Sequence, residues 1–346
     1  MANGRDMAYD LFALIYSESR ETQSAQRQKR PMRRLIECVP NFSEGRDGQK
    51  IEALAAAMRG TAGAWVLDVH SDADHNRSVV TLAGEPEAIV ETALRGAGKA
   101  AELIDLRRHI GEHPRIGAID VLPFVPIENV TMKDCVALAR HAGEEIWARH
   151  KIPVYFYEEA AMRPERKKLE SVRSGEFEYL RDEVLRNADR TPDIGGPALH
   201  PSAGAVAVGA RKFLIAYNIN LNTPEVSVAK KIARVIRAAN GGLRHVKAIG
   251  IALKARNLAQ VSTNLTDFEQ TSISRVFEAV RLEAARQGTA IHSSEIVGLV
   301  PRKALDLNEL ADLQLADFSP ANKILETRLE MKINEEAPNG ISLSSV

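Results

Sequence analysis

The chain is poor in cysteine, with only Cys38 and Cys135 in 346 residues. Two thiols make no disulfide framework, and neither belongs to a CxxC pair, which excludes secreted disulfide scaffolds, zinc ribbons and dithiol redox centres. A reducing cytoplasm is the expected location. An excess of charge is also lacking, since Lys plus Arg and Asp plus Glu each number 46. Without a positive surplus there is no sequence-independent hold on a phosphate backbone, so nucleic acid is not an expected partner. Long apolar runs are missing too. Leu11-Phe12-Ala13-Leu14-Ile15-Tyr16 is far short of a membrane span, and polar residues follow it without a small-residue cleavage site, so neither a membrane partner nor export is expected.

Apolar residues make up 45% and charged residues 27% of the chain, the profile of a compact protein with a large core. The length suits two domains, or one domain built from two similar halves. Residues 17–34 are polar and basic without periodicity, and residues 1–33 are expected to form a disordered leader. From Leu35 the pattern reads strand (35–39), helix (to about 58), strands at 64–69 and 78–82, helix (90–104) and strand (119–127). A helix at 131–150, a short strand at 154–157 and charged helical material at 165–188 follow as an insert. From Gly204 the order repeats: strand 213–219, helix 224–239, strands 246–253 and 258–265, a helix from 273 and strand 296–300. Each βαββαβ unit buries one sheet face under two helices, so the expected fold is α+β with duplicated ferredoxin-like subdomains. The expected divisions are 34–213, 214–330 and a flexible tail at 331–346.

Three polar clusters could carry chemistry. The first, His109-Ile110-Gly111-Glu112-His113-Pro114-Arg115-Ile116-Gly117, is a constrained loop, because Pro114 steers His113 from helical φ/ψ. Its imidazole is suited to moving protons near neutral pH, while the bland alternative is a loop whose charges pair only with each other. The second, His70-Ser71-Asp72-Ala73-Asp74-His75-Asn76-Arg77, lies at a turn between strands. It has metal-ligand residue types in no recognised spacing, so no metal is expected. A solvated turn is one reading, and contact of Asn76 and Arg77 with an anionic substrate is another. The third, Gly195-Gly196-Pro197-Ala198-Leu199-His200-Pro201-Ser202-Ala203-Gly204, lacks nucleotide-binding spacing and suits either a ligand-lining loop or a plain linker. Beyond it, Asn218 and Asn220 share one strand face, and Gln260, Ser262 and Asn264 share another, which suggests a hydrogen-bonding surface across neighbouring strands.

Five segments in order, 34–45 (RLIECVPNFSEG), GEHPRIGAID from Gly111, GARKFLIAYNINL from Gly209, NLAQVSTNL from Asn257 and VGLVPRKAL from Val297, resemble the glutamate formimidoyltransferase family over roughly residues 34–330. The resemblance implies a folate tunnel between the two subdomains, a homodimer, and transfer of a formimidoyl group between N5 of 5-formimidoyltetrahydrofolate and L-glutamate in histidine breakdown. Tetrahydrofolate is then a co-substrate. The family's catalytic histidine matches His113, and its folate-contacting loop matches residues 195–204. Asn76 and Arg115 are candidate substrate-binding residues, and Arg77, Arg211 and Lys212 are further cations able to meet a carboxylate. The animal enzymes differ at the 70–75 stretch and carry an aromatic residue near Ala203, so ring stacking is expected to differ here. They also continue into a cyclodeaminase, and with this chain ending at Val346 any deaminase is expected to be a separate protein. The competing readings are the same scaffold acting on a formyl group, a folate-binding protein without turnover, and a metal hydrolase built on the 70–75 cluster.

Overall fold

The computed structural model describes residues 33–306 and 310–336. The expected leader, apart from Arg33, lies outside the described residues, as do 337–346 of the expected tail.

Two sheets face each other. The first is built from β1 (Leu35–Cys38), β2 (Asn41–Phe42), β3 (Ala64–Asp72), β4 (Arg77–Gly84), β5 (Ile119–Glu128), β6 (Val154–Glu158) and β7 (Val206–Ala210). β1 and β2 act as one interrupted strand, each pairing antiparallel with both β4 and β5. The order is therefore β3, β4, β1 with β2, β5, β7, β6, the last two added in parallel. The second sheet contains β8 (Ile215–Leu221), β9 (Val246–Leu253), β10 (Leu258–Leu265) and β11 (Ile291–Val297), in the order β11, β8, β10, β9. Numbered within its own half, each βαββαβ unit stands 4-1-3-2, so the duplicated ferredoxin-like arrangement expected from the pattern is present.

Alternation along each strand decides what faces what. Ile36, Cys38, Val80, Leu82, Leu122 and Phe124 point into a core closed by α1 (Gly48–Met58), α2 (Pro86–Leu103) and α3 (Met132–His150). Two of these helices start where side chains satisfy free N–H groups: Asp47 accepts from Gln49 and Lys50, and Thr131 with Asp134 forms a reciprocal capping box, while α2 starts at Pro86 without a side-chain cap. In the second half, Tyr217, Ile219, Val261 and Leu265 pack under α6 (Val226–Ile236) and α7 (Ile273–Arg286), α4 (Leu169–Val172) and α5 (Glu176–Glu183) being short helices of the insert.

The opposite, helix-free faces of the two sheets meet. Part of that contact is apolar, with Leu35, Leu67 and Ala83 against Leu299, Leu325 and Leu329. The last two belong to the C-terminal helix (Leu325–Glu336), whose Arg328 donates to the Leu67 carbonyl at 2.7 and 3.1 Å. Residues 331–336, expected as flexible tail, continue this helix, because Leu325, Leu329 and Ile333 recur at helical spacing on one apolar surface. Two strands also differ from expectation. β7 at 206–210 lies where no strand is expected, and the first strand of the repeat starts at Ile215 rather than Phe213. The last strand is 291–297 instead of 296–300, since Gly298 at φ +75° ends it. Among the described residues no helix is long and apolar enough to cross a membrane.

Candidate active site

Between the facing sheet surfaces lies a cavity of about 470 Å³, lined by apolar and polar side chains together, a size usual for small-molecule sites. β1, β2 and β4 contribute Glu37, Asn41 and Arg77, and β8 and β10 contribute Asn218, Ser262 and Asn264. The expected polar strand face is thus real: Ser262 sits opposite Asn218 and Gln260 opposite Asn220 in the antiparallel register. Gln260 Nε2 donates to Asn220 at 3.0 Å and to Glu295 at 3.1 Å, and Asn218 donates to Glu295 at 3.1 Å, so the outer amides hold the sheet while Ser262 and Asn264 face the cavity.

His113 reaches the cavity from the loop between α2 and β5. His109 anchors that loop. Its Nδ1 accepts from Arg115 Nε at 3.0 Å, which assigns the proton to Nε2, 2.9 Å from the Asn76 carbonyl. His113 Nδ1 lies 2.9 Å from the Pro114 carbonyl, so in the neutral ring Nδ1–H donates there and Nε2 keeps the lone pair. Burial, followed by the charges of Arg77 and Arg173, pushes the His113 pKa well below the ordinary imidazole value. The ring is therefore a neutral base at physiological pH.

Beneath it lies an ion cluster with an imbalance. Asp120 is fully buried and takes Arg77 Nη1 at 2.8 Å, Arg173 Nη2, and the Ile116 N–H at 2.8 Å. Burial alone would raise its pKa, but the two guanidiniums and the N–H hold it below the usual carboxylate range. Asn41 Oδ1 accepts from Arg77 Nε and Nη2 at 3.1 and 2.8 Å, leaving Arg77 nearly satisfied. Arg173 is different, because its Nε is buried with no partner. Two cations share one carboxylate, and the surplus positive charge faces the cavity. On the same wall, burial pushes the Glu37 carboxyl up to about 7 against the pull of Arg211.

Asn76 does not line the cavity. It sits at φ 47°, accepts from the Gly45 N–H at 3.0 Å and donates to the Ile110 carbonyl at 3.0 Å, stapling two loops. Arg115 is also absent from the wall, because its guanidinium is held by Glu178 at 2.6 and 2.7 Å, by Glu176 at 2.9 Å and by His109. Both were expected to bind substrate, and their donors and acceptors are spent on the fold. Lys212 points instead at Asp267, 3.0 Å away, while Arg77 and Arg211 do line the cavity.

The expected folate loop is likewise displaced from the cavity: none of residues 195–204 lines it. Ser202 and Ala203 accept from the Leu106 and Ala118 N–H groups, both at 2.9 Å. A Cβ on Gly195 (φ +76°) would lie 2.6 Å from the Trp147 ring, and one on Gly204 (φ +68°) 2.1 Å from the Ile116 carbonyl. Close packing by itself requires glycine at both positions. In the second cluster, Asp72 accepts from the His75 N–H at 2.8 Å and pairs with Arg256 at 3.0 Å, and Asp74 accepts from the Ala255 N–H. No group of three or more metal-ligating side chains occurs among the described residues.

Two family models match the chain in tandem: formiminotransferase domain, N-terminal subdomain, over residues 35–211, and formiminotransferase domain over residues 216–309. The chain belongs to the formiminotransferase family. Glutamate formimidoyltransferase of Streptococcus pyogenes serotype M1 is 45% identical over 299 residues, spanning 86% of this chain and 99% of that protein. The protein of the same name from Thermoplasma acidophilum is 46% identical over 303 residues, spanning 87% and 99%. Formimidoyltransferase-cyclodeaminase of Rattus norvegicus is 46% identical over 280 residues, 79% of this chain and 51% of that longer protein. This formiminotransferase-family cavity also uses residues that the sequence did not single out. Arg173 comes from the charged insert, where nothing marks it among its neighbours, and Glu37 and Tyr157 sit inside strands whose composition speaks only of core. For Glu37 a signal existed, a lone carboxylate inside an apolar strand.

Proposed function

We propose that this chain transfers a formimidoyl group between N5 of tetrahydrofolate and the amine of L-glutamate. The observation that carries the reading is an imidazole, His113, in a cavity beside two guanidiniums that share one carboxylate. Family membership supplies the reaction and the geometry supplies its parts. The attacking nitrogen must lose a proton as it bonds to the formimidoyl carbon, and His113 Nε2 has the lone pair to take it. The guanidiniums of Arg77 and Arg173, which share the single carboxylate of Asp120, suit a substrate carboxylate. Asn218, Ser262 and Asn264 offer amide and hydroxyl groups to the flat, polar edge of a pteridine. A homodimer working in the cytoplasm beside a separate cyclodeaminase, in histidine and one-carbon metabolism, completes the reading on the strength of the family resemblance.

A spectrophotometric transfer assay tests it, with N-formimidoyl-L-glutamate and N-formyl-L-glutamate compared as donors to tetrahydrofolate. Turnover of the formimidoyl donor, falling by roughly a hundredfold or more in His113→Ala, is the expected outcome. Turnover of the formyl donor alone would assign the scaffold to formyl transfer. Tight folate binding with neither donor turned over would leave a binding protein.

A further inference from the structure

We propose that His75 is a second proton-handling side chain of the reaction, serving the nitrogen that leaves while His113 serves the nitrogen that attacks. This assignment rests on the formimidoyl-transfer reading above and names a further residue of the same site. His75 occupies the tight turn between β3 and β4, where Asp72 fixes its backbone N–H at 2.8 Å. Its side chain is only 8% exposed and lines the cavity, yet Nε2 has no hydrogen-bond partner. Buried ring nitrogens are ordinarily paired, so an unpaired one facing a cavity marks a place for a ligand group. The His75 and His113 rings lie 6.0 Å apart between centroids and are tilted by 44°. Both rings line the same cavity, so one bound substrate can lie within reach of the two.

The chemistry of the transfer asks for two such groups. The attacking amine adds its lone pair to the amidinium carbon, the C=N pair moves onto the amidine nitrogen, and the attacking nitrogen gives its extra proton to His113 Nε2. The amidine nitrogen then re-forms its double bond as the bond to the departing nitrogen breaks. That nitrogen keeps the bonding pair and takes the Nε2 proton of a His75 imidazolium, which gained its extra proton from solvent before the cycle and is left neutral. One proton has moved from His75 to His113, and exchange with solvent resets the pair. The reverse transfer uses the same two rings with their roles exchanged, as a reversible reaction requires.

The test uses the full chain with His75→Ala and His75→Gln, measuring kcat and KM for the formimidoyl donor, the Kd for tetrahydrofolate, and the response to added imidazole. The expected result is a kcat lower by about a hundredfold or more, with KM and Kd within about threefold of the unaltered chain and part of the Ala variant's rate restored by imidazole. His75→Gln keeps the side-chain bulk and carries the comparison if the Ala variant does not fold. A kcat within about threefold of the unaltered chain overturns the proposal, as does a loss of rate matched by an equal rise in Kd, which would make His75 a binding residue. Absence of transfer by the unaltered chain overturns the underlying reading instead, so the two failures are distinguishable.

Discussion

Asp120→Asn keeps the side chain's shape and one acceptor while deleting the charge that Arg77 and Arg173 share. Asp120 is fully buried and the two guanidinium side chains are 8% and 13% exposed, so the variant strands two cations in a poorly solvated place. Breaking a buried pair by removing one partner typically destabilises by about 3–5 kcal/mol. The lower end applies here, because an asparagine oxygen can still accept from the Ile116 N–H and the cavity admits water to Arg173. A loss of about 3 kcal/mol in denaturant unfolding is therefore expected, or roughly 6–12 °C in melting temperature at about 2–4 °C per kcal/mol. Charge imbalance as the cause has its own check: Arg173→Met placed on Asp120→Asn should recover part of the loss, since one fewer cation then lacks a partner. The pH dependence follows in sign. The folded-state pKa of Asp120 is lowered, so its contribution is complete above the ordinary value of about 3.9 and disappears as pH falls towards the lower folded value. The variant should accordingly lose less stability than the unaltered chain below about pH 4. A destabilisation under about 1 kcal/mol, or a double variant no more stable than the single one, would refute the reasoning.

Because burial and neighbouring guanidiniums lower the His113 pKa, the acid limb of the transfer rate should fall only well below about pH 6.5. An acid limb at or above that value would contradict the assignment. Arg115→Met should reduce stability by about 1–2 kcal/mol, since its partners Glu176 and Glu178 are half exposed and screened, while folate affinity measured by calorimetry remains within about threefold. His200→Ala should leave the folate Kd equally unchanged, and a tenfold weakening would return residues 195–204 to the folate site.

Strand and helix periodicity made both βαββαβ units readable, because each apolar strand has a helix-covered side and each helix an apolar stripe. The unread strand, Val206–Ala210, is five small or branched residues behind a Gly- and Pro-rich approach, and only its parallel partners β5 and β6 make it a strand. β11 differs for a related reason: Ile291-His292-Ser293-Ser294-Glu295 looks polar, since Ser293 and Glu295 on one side of the strand and Ser294 on the other make hydrogen bonds. His113 was recoverable because proline and glycine mark its loop. Arg173 was not, because its meaning lies in Asp120, 53 residues away, and no local pattern encodes that meeting. Asn76 and Arg115 mislead for the converse reason, since the side chains best able to bind a carboxylate are also those best able to staple loops.

The connection between the sheets is only residues 211–214, from the end of β7 to the start of β8. A tether this short keeps the two halves at an effective concentration on the order of millimolar or more, so they need little affinity of their own to stay closed around the cavity. A ligand touching both walls binds only the closed arrangement and shifts the opening equilibrium further towards it. Substrate should thus raise the melting temperature of both halves together.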